Sequence, residues 1–524
     1  MRQVDAKQLR GWIEDGNELA ILDAREEGEF GIAHLFWAVP CPLSRAEMRA
    51  PGLLPRRTTR IVCVDDGGGL AQRLAAYLAT IGCTDVTVLE GGAAAWAAAG
   101  HVLFSGVNVP SKAFGEWVEH RYGTESLDPV ELRALIDSGR DMVVLDSRTA
   151  EEFARMTIPS AISVPGGELA YRIADIVPDP ETLVVVNCAG RTRSILGAES
   201  LRRAGIPNPV RALRNGTMGW ELAGLACDRG RTDRFEPKTP ATAVLAFGRA
   251  RAFAEDSGVR SLSMAELAAF EADTLRTLYI LDVRDPIEFR AGHYPNSRNA
   301  PGGQLVQATD GWIAVRGARI AVVCDTGVRS RMSAAWLRLM GFSDVFVVDG
   351  ALAGACATVA PVLDGLASVP TIEAAALKTL LSIPGTVVVD LASSVEFRGG
   401  HIPGAVWGIR TRLAALAADL VGARQVVVTS PDGVLAALGV DELAGLTAAT
   451  VRALGGGTDA WKLSGNNLAA NRHVPADADC VDVYLRPYDR NSGVEAAMQA
   501  YLTWEIDLVH EIVRDGTVRF GPAT

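Results

Sequence analysis

The apolar positions of this chain fall into two alternating patterns. Short runs rich in Val, Ile and Leu, such as Val184-Val185-Val186 and Val426-Val427-Val428, have the unbroken hydrophobicity of strands buried on both faces. Between them lie segments with apolar residues at helical spacing, among them 6–14, 129–138, 264–272 and 372–382. Strand and helix alternating in this way predict an α/β fold of parallel sheets, each flanked by helices on both faces.

The pattern repeats four times. A strand ending in Asp is followed by a short helix at Ile21-Leu22-Asp23-Ala24-Arg25…Glu29-Phe30 and again at Val144-Leu145-Asp146-Ser147-Arg148…Glu152-Phe153. It recurs at Ile280-Leu281-Asp282-Val283-Arg284…Glu288-Phe289 and at Val388-Val389-Asp390-Leu391-Ala392…Glu396-Phe397. A second strand then runs into a Gly-containing loop. From the Asp to the key loop position the separation is 42 residues for Asp23 to Asp65, Asp146 to Cys188 and Asp282 to Cys324, and 40 for Asp390 to Ser430. Units one, two and four close on a glycine turn leading to Trp96, Trp220 and Trp461. Unit three has Gly350 but Gly354 where the Trp would stand. A tight turn and core packing account for these residues. Such periodicity means tandem copies of one structural unit.

Boundaries follow from the repeat: units at 1–106, 124–227, 259–357 and 368–468, and an extension at 469–524. Linkers at 105–125 and 227–261 carry helical inserts, 111–121 and 241–255, expected to pack between units. The tail after Trp461 holds no copy of the repeat. Its stretch 494–514 reads as an amphipathic helix, a structural brace or an oligomer contact.

The chemistry concentrates at Val184-Val185-Val186-Asn187-Cys188-Ala189-Gly190-Arg191-Thr192-Arg193-Ser194. Cys188 falls at the carboxyl end of a strand, before a tight loop and a helix. Backbone N–H groups of such a loop converge on one spot that favours an anion. A thiolate there is stabilised, further so by Arg191 and Arg193, which makes Cys188 a candidate nucleophile. Val322-Val323-Cys324-Asp325-Thr326-Gly327-Val328-Arg329-Ser330 repeats the device, with Cys324 and Arg329 in register. Asp325 adds an opposing charge. Unit two has the more basic loop, so Cys188 is expected to be the more reactive. In unit one Asp65 precedes Gly67-Gly68-Gly69, and in unit four Ser430 takes the cysteine position. Neither can carry sulfur.

Composition narrows the class. A chain of 524 residues that is 48% hydrophobic and 22% charged is globular. A net charge of −11 argues against nucleic acid or an anionic membrane surface as partner. No signal-peptide or membrane-span pattern appears, so a cytoplasmic location is expected. The 8 cysteines form no C-x-x-C pair, which argues against zinc or dithiol redox motifs and leaves Cys63 and most others as small core residues. No metal or organic cofactor is implied.

The D-x-R…E-F segment followed by a C-x4-R loop resembles the rhodanese family of sulfurtransferases. His401-Ile402-Pro403-Gly404-Ala405 is similar to a segment common there, and His293-Tyr294-Pro295-Asn296-Ser297 is a variant of it. The resemblance implies four tandem rhodanese-like domains, the outer two inactive. Cys188 and Cys324 would hold sulfane sulfur as a persulfide and pass it from a small anionic donor to a thiol or cyanide-like acceptor. Thiosulfate, mercaptopyruvate and a low-molecular-weight persulfide are the donors it suggests. Arg191, Arg193 and Arg329, with Gly190 and Gly327, would bind the donor. Asp146, Arg148, Asp282 and Arg284 would brace the loops. Two-domain thiosulfate enzymes of the family often carry an Arg where Glu152 and Glu288 stand, which speaks against thiosulfate. The competing readings are a non-catalytic repeat scaffold and a cysteine-dependent phosphatase or arsenate reductase. The latter use C-x5-R, one residue longer than the loops here.

Overall fold

The computed structural model describes residues 2–235, 241–354, 357 and 368–521; Cys356 and parts of the linkers after units two and three lie outside them. The strands of these residues form four sheets. Units two, three and four each contain five parallel strands, in which the Asp-bearing strand and the nucleophile-bearing strand lie side by side at the centre. In unit two these are Met142–Asp146 and Leu183–Asn187. Their alternate side chains are buried on opposite faces, in two separate clusters with the helices. This is the parallel α/β architecture expected from unbroken apolar runs.

Unit one departs from the pattern. Its sheet has a sixth strand, Val315–Arg316, supplied by unit three and paired antiparallel with Leu19–Asp23 at Val315↔Ala20 and Arg316↔Leu19. The junction is buried and polar. Glu18 accepts from Thr277 N (2.8 Å) and Arg276 Nε (3.0 Å) through Oε1, and from Thr277 Oγ1 (2.5 Å) and Arg56 Nη2 (2.8 Å) through Oε2. Tyr279 Oη donates to Leu53 O of unit one (2.6 Å) and accepts from Ala314 N and Val315 N (3.2 and 3.1 Å).

The linker inserts fold as helices Val109–Tyr122 and Ala243–Asp256. Phe114 and Val118 of the first and Ala250 and Phe253 of the second are buried in one apolar cluster that runs through units one, two and three. Trp336 of unit three sits edge-on to Phe114 and Phe253 and donates to Ser200 Oγ of unit two (2.8 Å). Unit four has its own clusters and meets unit one through polar contacts, Arg410 to Glu47 (2.7 Å) and Arg412 to Glu29 (2.5 Å).

The tail crosses several units. Val481 O accepts from Gly28 N of unit one (2.9 Å), Pro475 O accepts from Arg398 of unit four, and Asp489 pairs with Arg155 of unit two (2.7 Å). It ends in helix Val494–Asp515, laid against the first linker helix. The tail is thus a strap, and its helix also reaches the site described below.

Tyr279→Phe keeps the ring and strands two buried N–H groups and one carbonyl at the junction of units one and three. The expected loss is about 1–3 kcal/mol, read as a lower thermal-unfolding midpoint with the far-UV spectrum unchanged.

Candidate active site

The site is built on a buried ion pair. Asp146, fully buried, receives Arg148 in a fork, Nε to Oδ1 at 2.9 Å and Nη2 to Oδ2 at 2.7 Å. Thr157 Oγ1 and Asn187 Nδ2 also donate to Oδ2, each at 2.9 Å. Asn187 immediately precedes Cys188, so the carboxylate fixes the chain as it enters the loop. Ser147 N donates to Asn187 O (2.9 Å) and adds a second tie. Asp282 with Arg284 and Asp23 with Arg25 make the same fork. In unit four Ala392 takes the arginine's place. Asp390 Oδ2 is buried without a partner among the described residues, and burial pushes this carboxyl up to about 6.

The loop is held from its far side as well. Cys188 O accepts from Thr217 N (2.8 Å) and Ala189 O from Met218 N (3.0 Å). Gly216, at φ +54°, makes this approach possible, because a Cβ there would collide with the Cys188 carbonyl. Gly92 and Gly457 stand in the same relation to Asp65 and Ser430. The glycines that read as turn formers therefore clamp the loop.

The four loops show what their amides attract. Asp65 Oδ1 accepts from Gly67 N (2.9 Å) and Oδ2 from Ala71 N (3.1 Å), so unit one seats its own carboxylate in the cradle. Ser430 Oγ accepts from Ala436 N (3.1 Å). Cys324 Sγ accepts from Gly327 N (3.1 Å) and Ser330 N (3.4 Å) and lies 3.3 Å from Ser330 Oγ. Cys188 Sγ lies 3.5 Å from Ser194 Oγ, and among the described residues no amide donates to it.

The loop arginines are placed differently from the expectation that they bind donor. Arg191 pairs with Glu116 (Nε–Oε1 2.7 Å) and Glu119 of the first linker helix. Arg193 forks onto Glu152 at 2.6 and 2.8 Å. Arg329 is fully buried among Glu288, Glu168 of unit two and Asp325, at 2.6–2.8 Å. Glu152 and Glu288 are thus the arginines' partners. Burial works to raise the Glu152 carboxyl, yet Arg193 holds it well below the carboxylate range. Arg329 is spent as a brace: Glu168 is shared with Arg172 (2.6 Å), and Glu288 and Asp325 together outnumber the one charge Arg329 brings.

Cys188 and Gly190 lie on a cavity of about 380 Å³, which Arg148, Arg191 and Arg193 also line. Gly327 instead packs under Phe247 and Arg331 of its own neighbourhood. Much of the cavity wall comes from residues that loop reasoning missed: Lys112 of the first linker helix, and Tyr484, Arg486, Tyr488, Tyr501 and Glu505 of the tail. Glu505, 1% exposed, accepts through Oε1 from Thr192 Oγ1 (3.0 Å), Lys112 Nζ (3.1 Å) and Tyr501 Oη (3.2 Å). Its Oε2 is buried with no partner among the described residues, beside Gly190. One signal was present. Glu505 interrupts the apolar stripe of Met498, Leu502, Leu508 and Ile512, and a carboxylate on such a stripe needs a buried partner.

Four sheets of parallel strands, one of them with an added antiparallel strand, each carry a loop at the end of a central strand; with a cysteine on that loop in two of them they define a tandem-repeat sulfurtransferase architecture. The chain belongs to the rhodanese family: the family model, Rhodanese-like domain, matches residues 5–99, 128–223, 263–358 and 373–464. Its class is that of the rhodanese-type sulfurtransferases. A crystal structure of a thiosulfate sulfurtransferase from Pseudomonas aeruginosa is 44% identical over 100% of both chains, with a TM-score of 0.92. The thiosulfate sulfurtransferase GlpE of P. aeruginosa is 36% identical over 74 residues, 14% of this chain and 63% of GlpE. The HTH-type transcriptional regulator Rv0324 of Mycobacterium tuberculosis is 33% identical over 91 residues, 17% of this chain and 39% of the regulator. The chain thus spans less than two thirds of either of these two curated relatives.

The Asp390 carboxyl yields a pH signature. Its folded pKa lies above the unfolded value, so the folded state keeps the proton between about pH 4 and 6, and stability falls as pH rises through that window. Asp390→Asn should remove this slope and stabilise unit four by roughly 2 kcal/mol above pH 6, seen as a raised unfolding midpoint at pH 8 and little change at pH 4.

Proposed function

We propose that Cys188 is the working nucleophile, cycling between thiolate and persulfide as it moves sulfane sulfur from an anionic donor to a thiophilic acceptor. The observation that carries this is the pairing of an open, arginine-lined cavity with a cysteine whose loop amides are not spent on its own Sγ. Those amides are free for the outer persulfide sulfur, and the start of helix Thr192–Arg203 favours negative charge beside Cys188. With thiosulfate the Cys188 thiolate attacks the sulfane sulfur, the S–S bond breaks and sulfite leaves with its electron pair, so no proton has to be supplied; with mercaptopyruvate the S–C bond breaks and pyruvate leaves as its enolate, which takes a proton from solvent. Thiosulfate is the preferred donor in this reading, supported by the name of the relative aligned over the full length. Glu152 does not weigh against it, because the charge it brings is spent on Arg193. Cys324, whose loop is rich in carboxylates, is the slower site in this reading, and units one and four are scaffolds.

The test is intact mass after incubation with thiosulfate, and separately with 3-mercaptopyruvate, for the wild type, Cys188→Ser and Cys324→Ser. The expected result is a gain of one sulfur atom from thiosulfate, lost in Cys188→Ser and kept in Cys324→Ser. No gain in the wild type, or a gain that follows Cys324, overturns the assignment.

Alkylation at neutral pH gives an independent check. Burial pushes the Cys41 thiol up to about 12 and Cys63 well above the ordinary thiol range. Iodoacetamide should therefore label Cys188 first and leave Cys41 and Cys63 untouched in the folded protein. Labelling of Cys41 before Cys188 would contradict this reading.

A further inference from the structure

The chamber above Cys188 is larger than the reaction at its floor requires. We propose that its outer part binds the sulfur acceptor, a peptide-sized thiol carrying two carboxylates, and that the tail recognises those carboxylates through Arg472 and Arg486. This deepens the persulfide reading of Cys188 and rests on it.

Size is the first argument. A cavity of about 380 Å³ lies in the range, roughly 300–1,000 Å³, that encloses organic ligands of drug size. A sulfur oxyanion of a few atoms would leave most of it to water.

Charge is the second. At the floor every arginine is committed: Arg148 to Asp146, Arg191 to Glu116 and Arg193 to Glu152. At the rim the balance changes. Arg486 is exposed, and its nearest carboxylate, Glu152, stands 3.9 Å away and already receives Arg193. Arg472, also exposed, gives one N–H to Arg490 O (2.8 Å) and has no carboxylate partner among the described residues. Both line the cavity. Two uncommitted guanidinium forks on one rim suit two carboxylates on one ligand.

The wall between rim and floor is the third. Met156, Met218, Tyr484 and Tyr488 line it and offer an apolar and aromatic surface to a peptide-like skeleton. The tail is held rigidly while it does so. Tyr488 Oη donates to Thr217 Oγ1 (3.1 Å) and Tyr488 O accepts from Arg155 Nη2 (3.0 Å). Preformed contacts of this kind spare the ligand the cost of ordering the protein.

The chemistry closes without another reactant. The acceptor thiol loses its proton to solvent, and its thiolate attacks the outer sulfur of the Cys188 persulfide. That S–S bond breaks, its electron pair returns to Cys188 as thiolate, and the acceptor leaves as a persulfide anion.

The experiment uses the full-length protein, thiosulfate as donor, and three acceptors: glutathione, its diethyl ester and cyanide. Glutathione is a tripeptide thiol with two carboxylates, and the ester keeps the thiol but masks both charges. Wild type should favour glutathione over the ester in kcat/KM. Arg472→Gln and Arg486→Gln should each lower the ratio of glutathione to cyanide turnover by about tenfold, one charge-assisted contact apiece. Equal use of acid and ester by the wild type, a ratio unmoved in both variants, or transfer to a protein thiol alone overturns the inference. The mass gain on Cys188 is measured in the same samples. If it forms and the ratios do not move, the acceptor site is wrong and the persulfide reading stands. If it never forms, the persulfide reading itself has failed.

Discussion

The four loops share one constraint: backbone amides at a strand-to-helix turn favour negative charge. A short loop running into a helix turns several N–H groups toward one point and gives them no carbonyl partner. The four units answer this demand with four side chains. Unit one supplies a full charge from Asp65, and its cradle is satisfied for good. Ser430 offers a neutral oxygen and Cys324 a thiol already bonded to two amides. At Cys188 no amide donates to Sγ among the described residues, so the loop stays open to an anion brought by a substrate.

The same economy explains the carboxylates around the loops. A guanidinium buried beside a cysteine costs solvation unless it is paired, and Glu152, Glu116 and Glu288 supply that pairing. The difference between the two cysteine sites is then one of excess. Around Arg329 stand three carboxylates, of which Glu168 is shared with Arg172, whereas the Cys188 chamber ends in two exposed arginines. Gly302 and Gly303 of unit three pack against Gly167 and Gly166 of unit two, so Glu168, the next residue, lies close enough to reach Arg329. One unit thus tunes the other.

The fold was legible because its signals are local and repeated. Asp23, Asp146, Asp282 and Asp390 each end a strand at a near-constant distance from the loop, and the apolar runs alternate with helical segments as parallel α/β sheets require. The Asp and Arg of each pair stood in register in three units, and it was the family resemblance that implied they brace the loops. What escaped was everything carried by long separations. Thr192 and Glu505 are 313 residues apart, and no spacing rule links them. Arg193 with Glu152 and Arg329 with Glu288 share a separation of 41, a regularity that a charge-pairing argument could have used. The strand Val315–Arg316 was invisible because two residues have no period, and its partner lies in another unit.

That small strand has a consequence for how the chain is made. Until it arrives, the first half of Leu19–Asp23 is an open sheet edge, a template for any passing β-strand. Its partner lies about 300 residues further on, and at roughly 5–20 residues per second a ribosome needs some tens of seconds to deliver it. The nascent amino-terminal unit must therefore wait, unfinished, through the synthesis of the whole second unit. That open stretch is only two residues long, and a template so short gives a stray strand little to hold.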